Sequence, residues 1–196
     1  MKDLSDLIEH NRFVGREFLL WLWFESELFE ANLRPSSADP CSLWIETRLA
    51  LAFERDDALL KSATPSSSPE AKQALRQGKL PREARLRIVL GDREYGCLYK
   101  ADTLALSSVA LPTELGKKDE VHEVFYERMR LLEELEAVFE ALWSDFLAMR
   151  LGPVYPKLLG MWRAWAHAEP VDPKAYRALK ERALAERRPS LAPKKR

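Results

Sequence analysis

Seven consecutive large apolar residues, Phe18 to Phe24, stand between charged flanks in the segment Asn11-Arg-Phe-Val-Gly-Arg-Glu-Phe-Leu-Leu-Trp-Leu-Trp-Phe-Glu-Ser-Glu27. A surface helix needs only one apolar stripe. A helix apolar on every side must be covered on every side, by its own domain or by a second copy of the chain. Seven residues fall far short of the ~20 needed to cross a bilayer. The pattern predicts a first helix from Ser5 to Leu33, with Gly15 as the place for a bend, stopping before Arg34-Pro35.

After a turn at Pro35-Ser-Ser-Ala-Asp-Pro40 the period changes. Leu43, Ile45, Thr47, Leu49, Leu51 and Phe53 alternate with Trp44, Glu46, Arg48, Ala50, Ala52 and Glu54, the signature of a half-buried strand. Glu54-Arg-Asp-Asp57 reads as a turn and Ser62–Pro69 as a loop. Ser68-Pro69-Glu70 opens a short helix, with Ser as N-cap, Pro in the first turn, an acid near the positive end and Gly78 as its stop. Leu86, Ile88 and Leu90 then face one way and Arg85, Arg87 and Val89 the other. Gly91-Asp92-Arg93 connects this strand to another from Glu94 to Ala101, a hairpin. A further strand spans Leu104–Ala110.

From Asp119 to Arg150 the chain reads as one long helix. Phe125, Leu132, Phe139 and Phe146 recur every seven residues, as do Leu135, Leu142 and Met149. Such rows suit a coiled-coil seam or packing on a sheet, and sheet packing is the commoner solution. Gly152-Pro153 ends the helix, and Tyr155–His167 forms a shorter aromatic one. Pro170–Arg196 is a Pro-, Ala- and Arg-rich tail, helical at Lys174–Glu186 and disordered beyond. The expected fold is α+β: a small antiparallel sheet packed by an N-terminal aromatic helix and a long C-terminal helix. It forms a single domain over 1–150, followed by an aromatic helix and basic tail over 151–196.

Composition adds boundaries. The chain has 196 residues, of which 46% are hydrophobic, including six Trp and eight Phe, enough for a real core. Met1-Lys-Asp-Leu-Ser-Asp is acidic, which speaks against a secretory signal. Two cysteines, Cys41 and Cys97, without a Cys-x-x-Cys, indicate neither a disulfide framework nor a zinc site. Both read as reduced thiols of a cytoplasmic protein. Net charge is zero but unevenly spread. Residues 1–60 carry six basic and twelve acidic groups, 61–118 eleven and six, 119–149 two and nine, and 150–196 twelve and four. A polyanion would meet the second and fourth blocks.

Candidate chemistry is sparse. Glu70-Ala-Lys72 fits the Glu-x-Lys of restriction-type nucleases, with Asp57 or Asp92 as a remote carboxylate. Such enzymes hold metal with carboxylates on adjacent strands, and Glu70 sits on a predicted helix. Ser66, Ser67 and Ser68 lack a paired base, and His10, His122 and His167 are scattered. No phosphate-cradling glycine loop occurs. The expectation is a protein that is not an enzyme and uses no metal or cofactor. For nucleic acid, Arg85, Arg87 and Arg48 share the polar phase of predicted strands, with Lys79, Arg82, Arg93 and Lys100 nearby. An arginine-lined sheet face suits phosphates, and so does the tail (Arg187, Arg188, Lys194, Lys195, Arg196). An ordinary solvated sheet face has the same spacing.

Two segments together resemble a known family. One is the Asn11–Phe24 run. The other is Glu70-Ala-Lys-Gln-Ala-Leu-Arg-Gln-Gly-Lys79, followed by the Leu86–Leu90 strand, the Tyr95–Lys100 strand and the long Glu-rich helix. In that order, over roughly residues 11–150, they resemble the C-terminal half of the recombination-associated protein RdgC family, as a divergent member. The resemblance implies a nucleoid-associated dimer that closes round duplex DNA without strong sequence preference and restrains the recombinase RecA. The segment before the Glu70 helix, basic in better-known members, offers only Lys61. The expected function is therefore nonspecific duplex DNA binding through Arg85, Arg87, Lys79, Arg82, Arg93 and Lys100, with no membrane contact. Phe18, Trp21, Trp23 and Phe24 are the expected homodimer interface, since exposed apolar patches of this size mark contacts. The alternative is a protein–protein interaction or oligomerisation module that does not touch DNA.

Overall fold

The computed structural model describes residues 4–53, 56–116 and 118–186. The first helix, α1 (Leu4–Leu28), ends five residues before the expected stop. Glu30 and Ala31 take positive φ (49° and 68°) and turn the chain into a two-residue strand, β1 (Asn32–Leu33). Then β2 (Cys41–Phe53) pairs antiparallel with β1 at one end and with β3 (Asp56–Leu60) at the other. β3 was not foreseen. Of the expected turn at Glu54–Asp57, Glu54 and Arg55 lie outside the described residues, and Asp56 opens β3. The strand alternation of β2 slips at Thr47, which is exposed at φ 55° where the register shifts between Ile45 and Leu49. Beyond this bulge Ala50 and Ala52 are buried along with Leu49 and Leu51.

The Ser68 signature folds as the sequence predicts. After a 3-10 turn at Pro65–Ser67, the Ser68 hydroxyl accepts from the Ala71 amide at 3.1 Å and opens α2 (Pro69–Arg76). At the other end Gly78, at φ 85°, donates to the Leu75 carbonyl and Lys79 to that of Ala74, closing a Schellman cap. β4 (Leu80–Leu90) and β5 (Arg93–Lys100) form the hairpin, with Leu90 paired to Arg93 and Gly91 at φ 61° in the two-residue turn. β6 (Ala105–Ala110) completes the sheet, whose order is β1-β2-β4-β5-β6, with β3 also on β2.

One face of this sheet carries the core. Leu43, Ile45, Leu86, Ile88, Tyr95, Cys97 and Tyr99 lie under α1 and under α3 (Val121–Leu151). Phe18 anchors the junction, its ring 5.0 Å from Trp143, 5.5 Å from Phe146 and 5.8 Å from Tyr99. Tyr99 stacks on Phe139, a member of the predicted heptad row. Gly15 lies where α1 crosses the end of β5: a Cβ there would sit 2.0 Å from the Ala101 carbonyl oxygen. The glycine serves close approach within a helix that runs on to Leu28.

The rest of the apolar run is covered by helices that the sequence reading placed outside the domain. Trp23 and Phe24 pack edge-on against Trp165 of α4 (Tyr155–Ala166), and Phe24 against Tyr176 of α5 (Pro173–Glu186). Leu158, Trp162, Trp165, Tyr176 and Ala183 belong to the same buried cluster as Trp21. Residue 150 is therefore no domain boundary; one core extends through α5. Residues 187–196, with the basic tail, lie outside the described residues. Phe18, Trp21, Trp23 and Phe24 are each at most 2% exposed within one chain. This corrects their expected role: they are core, covered by the sheet, α3, α4 and α5, and have no surface to offer a partner. Each such burial is worth roughly 1.5–3 kcal/mol.

A polar seam ties these helices together. Glu25, fully buried on α1, accepts from the Lys180 ammonium at 2.8 Å through both oxygens, from Tyr176 Oη at 2.8 Å and from Trp21 Nε1 at 3.0 Å. Glu27, further along α1, accepts from Trp165 Nε1 at 2.8 Å, Trp23 Nε1 at 2.5 Å and Lys72 Nζ at 2.7 Å.

Candidate contact surfaces of the sheet and the long helix

The face of the sheet turned away from the helices carries the predicted arginines. By the strand period Glu83, Arg85, Arg87 and Val89 of β4 share it with Trp44, Glu46 and Arg48 of β2 and with Glu94, Gly96, Leu98 and Lys100 of β5. Its cations are interleaved with carboxylates. Arg87 Nε donates to Glu46 at 2.5 Å, its Nη1 reaches Glu94 at 3.4 Å, and its guanidinium lies 4.0 Å from the Trp44 ring centroid. Desolvation opposes the Arg87 charge, but hydrogen bonds to Glu46 and Glu94 outweigh it and hold its pKa above the ordinary arginine value. Arg48 pairs with Glu83 at 2.5 Å. Arg85 is held differently: its Nη1 donates to the Ser108 carbonyl at 2.8 Å, and it lies across Gly96, where a Cβ would come within 3.0 Å of its Nη2.

The structure does not bring all six predicted cations together. Arg85, Arg87 and Lys100 share the open face. Arg93 has the opposite strand phase and pairs with Glu134 of α3, so it closes the core side of the hairpin. Arg82 is half-buried where β4 slips register against β2, next to the buried Pro81, Lys79 precedes that strand in the α2 cap, and both are engaged in interactions of their own. With Glu46, Glu83 and Glu94 among them, Arg48, Arg85, Arg87 and Lys100 form a nearly charge-balanced lattice.

Glu70 and Lys72 do not converge on one site. Glu70 is exposed on α2, and Lys72 turns away to Glu27, its ammonium 3.3 Å from the Trp165 ring centroid and 5.0 Å from that of Trp23. Desolvation lowers the Lys72 pKa, partly offset by Glu27. Lys72 is thus a clasp between α1, α2 and α4. Burial pushes Cys41 to about 11 and Cys97 to about 12, so both stay protonated thiols at neutral pH. Among the described residues no three of His, Cys, Asp and Glu gather where they could hold a metal ion, and no helix is long and apolar enough to cross a membrane.

The surface that sequence reasoning missed lies on α3. Its second half is core, with Leu131, Leu135, Val138, Leu142, Phe146 and Met149 buried. Its first half presents apolar side chains to water. Val121 is 84% exposed, Tyr126 67%, Phe125 57% and Met129 41%. Positions 121, 125 and 129 are i, i+4 and i+8, one stripe along one side of the helix, and the Phe125 and Tyr126 rings meet edge to face at 5.8 Å. Glu127 fastens the preceding loop, accepting from the amides of Glu114 at 2.7 Å and Leu115 at 3.4 Å, and Gly116 and Asp119 of the same segment line a cavity with Val121, Val124, Phe125 and Arg128. The heptad row starting at Phe125 is the signal that could have revealed this stripe. It was read as continuous core, whereas burial begins only at Leu131.

Comparison with protein families, with characterised proteins and with solved structures finds no match to this chain.

Proposed function

We propose that this protein is a non-catalytic interaction module whose contact surface is the exposed first half of α3. One observation carries the reading: Val121, Phe125, Tyr126 and Met129 form a contiguous apolar stripe in water, on a chain that buries its other large aromatic run completely. Covering such side chains is worth roughly 1.5–3 kcal/mol each before the cost of association is subtracted. These side chains have no part in the core, so contact is the role that accounts for them. Placing the photo-crosslinking residue benzoylphenylalanine in cells at position 126, and separately at the exposed Leu59 of β3, tests the surface. Protein adducts are expected at 126 and not at 59. Absence of any protein adduct at 126 would overturn the reading.

A second reading, sequence-blind contact with duplex DNA as the RdgC resemblance implies, draws on Arg85 and Lys100. Arg85 is tied to a carbonyl rather than a carboxylate, so its charge is not cancelled, and Lys100 is exposed at the end of the same face. Support is thinner because three glutamates share that lattice. Binding of this kind weakens with a log–log salt slope of about −0.9 per phosphate neutralised. Arg85→Ala/Arg87→Ala should lower affinity for duplex DNA and flatten the slope. An unchanged mobility shift in the double mutant would remove the sheet face as the site.

A further inference from the structure

We infer that the cleft between the end of α1 and α5 is a binding site for a small organic acid, its carboxylate held by Arg34 and Arg177 and its apolar part lying on Phe29 and Leu184. The site is separate from the α3 stripe and does not depend on the contact-surface reading above. A cavity of about 250 Å³ lies there. Arg177, Lys180, Glu181 and Leu184 are i, i+3, i+4 and i+7, so one face of α5 forms one wall. Glu25 of α1, Phe29 just past its end and Arg34 just past β1 line the rest, with Asn32.

The charges in this lining decide the ligand. Glu25 and Lys180, 0% and 7% exposed, neutralise each other through two hydrogen bonds. An ammonium has three donors, and the third of Lys180 meets no oxygen acceptor among the described residues. Arg34 and Arg177 are exposed, and neither pairs with an acid among the described residues. Three cations therefore stand against two acids, Glu25 and Glu181, which leaves one positive charge in excess. That sign favours a monoanion. The planar fork of arginine favours an oxyanion, which it can hold with two parallel hydrogen bonds. Arg177 is positioned in advance, its guanidinium 5.2 Å from the Phe29 ring centroid. The backbone at Arg34 is held on both sides, by Leu33 paired to Cys41 in the sheet and by Pro35. Phe29 and Leu184 add apolar area that a carboxylate on a hydrocarbon or aromatic body would cover and a bare phosphate would not. Pockets for drug-sized ligands run from ~300 Å³ upward, so the acid is a fragment-sized one.

Titration calorimetry with benzoate at low ionic strength, where exposed charges are least screened, tests the site. A Kd of about 0.1–10 mM is expected for so small a ligand. Benzyl alcohol, of similar shape without the charge, and inorganic phosphate, with charge but no apolar body, should each bind at least about tenfold more weakly. Arg34→Gln and Arg177→Gln should each weaken benzoate about tenfold or more, the scale of a lost charge-assisted hydrogen bond. Arg163→Gln, which removes an exposed arginine of α4 outside this cavity, should leave binding unchanged. All three arginines are exposed, and a circular-dichroism melt checks that the variants fold. Three results would each overturn the site: no benzoate binding at tens of millimolar, benzyl alcohol or phosphate binding as tightly as benzoate, or an equal loss in Arg163→Gln.

Discussion

Replacing Lys180 by Met should destabilise this fold far more than any exposed lysine could. Its ammonium lies 2.8 Å from both oxygens of Glu25, a carboxylate with no solvent exposure, and 5.0 Å from the Trp21 ring centroid. Without the cation, Glu25 keeps only two neutral donors, Tyr176 Oη and Trp21 Nε1. Breaking a buried pair from one side typically costs ~3–5 kcal/mol, because the remaining charge is left uncompensated. For a chain of this size each kcal/mol shifts Tm by about 2–4 °C, so a fall of roughly 6–20 °C is expected in a circular-dichroism melt. Met retains most of the apolar stem, so the loss reports charge rather than volume. The double variant Glu25→Gln/Lys180→Met removes both charges and leaves an amide oxygen to accept from Trp21 and Tyr176. It should recover to within about 2 kcal/mol of the parent, since deleting both partners of a buried pair is often close to neutral. A single-variant fall under about 2 °C, or a double variant as unstable as the two singles summed, would refute the reasoning.

Gly15→Ala should lower Tm. Alanine gains up to ~1 kcal/mol of helix propensity over glycine, but its methyl would meet the Ala101 carbonyl oxygen at 2.0 Å, and overpacking costs about 1–3 kcal/mol; a raised Tm would show that α1 can withdraw cheaply. Cys41 and Cys97 should resist a thiol reagent at pH 8 in the folded protein and react at once in denaturant. Their folded pKa values, about 11 and 12, lie above the ordinary thiol value of 9.0, so the stability they contribute is complete below pH 9 and is lost as pH rises toward 11–12; a denaturation midpoint constant from pH 8 to 11 would contradict this. Trp165→Phe keeps the aromatic packing on Phe24 and removes the indole donor to Glu27, so a modest cost of about 1 kcal/mol is expected. A loss above about 3 kcal/mol would show that volume rather than the hydrogen bond decides the site.

What could be read from the sequence was local or periodic. Ser68-Pro69-Glu70 and Gly78 fixed both ends of α2 because caps are satisfied by neighbours in the chain. The 86–90 alternation and the Gly91 turn placed the hairpin because strand phase and turn conformation are properties of a few residues. The bulge at Thr47 escaped because a one-residue slip leaves the composition of a strand unchanged while reversing which side chains face inward. The greater error concerned coverage. An all-round apolar helix requires burial on all sides, but the requirement does not identify the covering element. α4 and α5, set aside as an appendage, close over Trp23 and Phe24. The candidate interface therefore vanished from α1. The surface that is exposed sits on α3, where Phe125 looked like one more rung of a core row.

The same logic explains why the charge blocks misled. Net charges of −6, +5, −7 and +8 along the chain suggest basic surfaces at residues 61–118 and 150–196. Through space, the blocks are partners. Cations of the second block end on acids of the first and third: Lys72 on Glu27, Arg87 on Glu46 and Arg93 on Glu134. Cations of the fourth block end on acids of the first, Arg150 on Glu17 at 2.6 Å and Lys180 on Glu25. An alternating sequence of charge thus becomes a set of long-range pairings that hold helix to helix and strand to strand. A cation spent in this way, particularly one half-buried beside its acid, gives little field to a distant phosphate. The charge that remains unspent is what can address a partner. On the open sheet face it is Arg85 and Lys100, which lie in no ion pair among the described residues, whereas the first half of α3 offers apolar area through Val121, Phe125 and Met129.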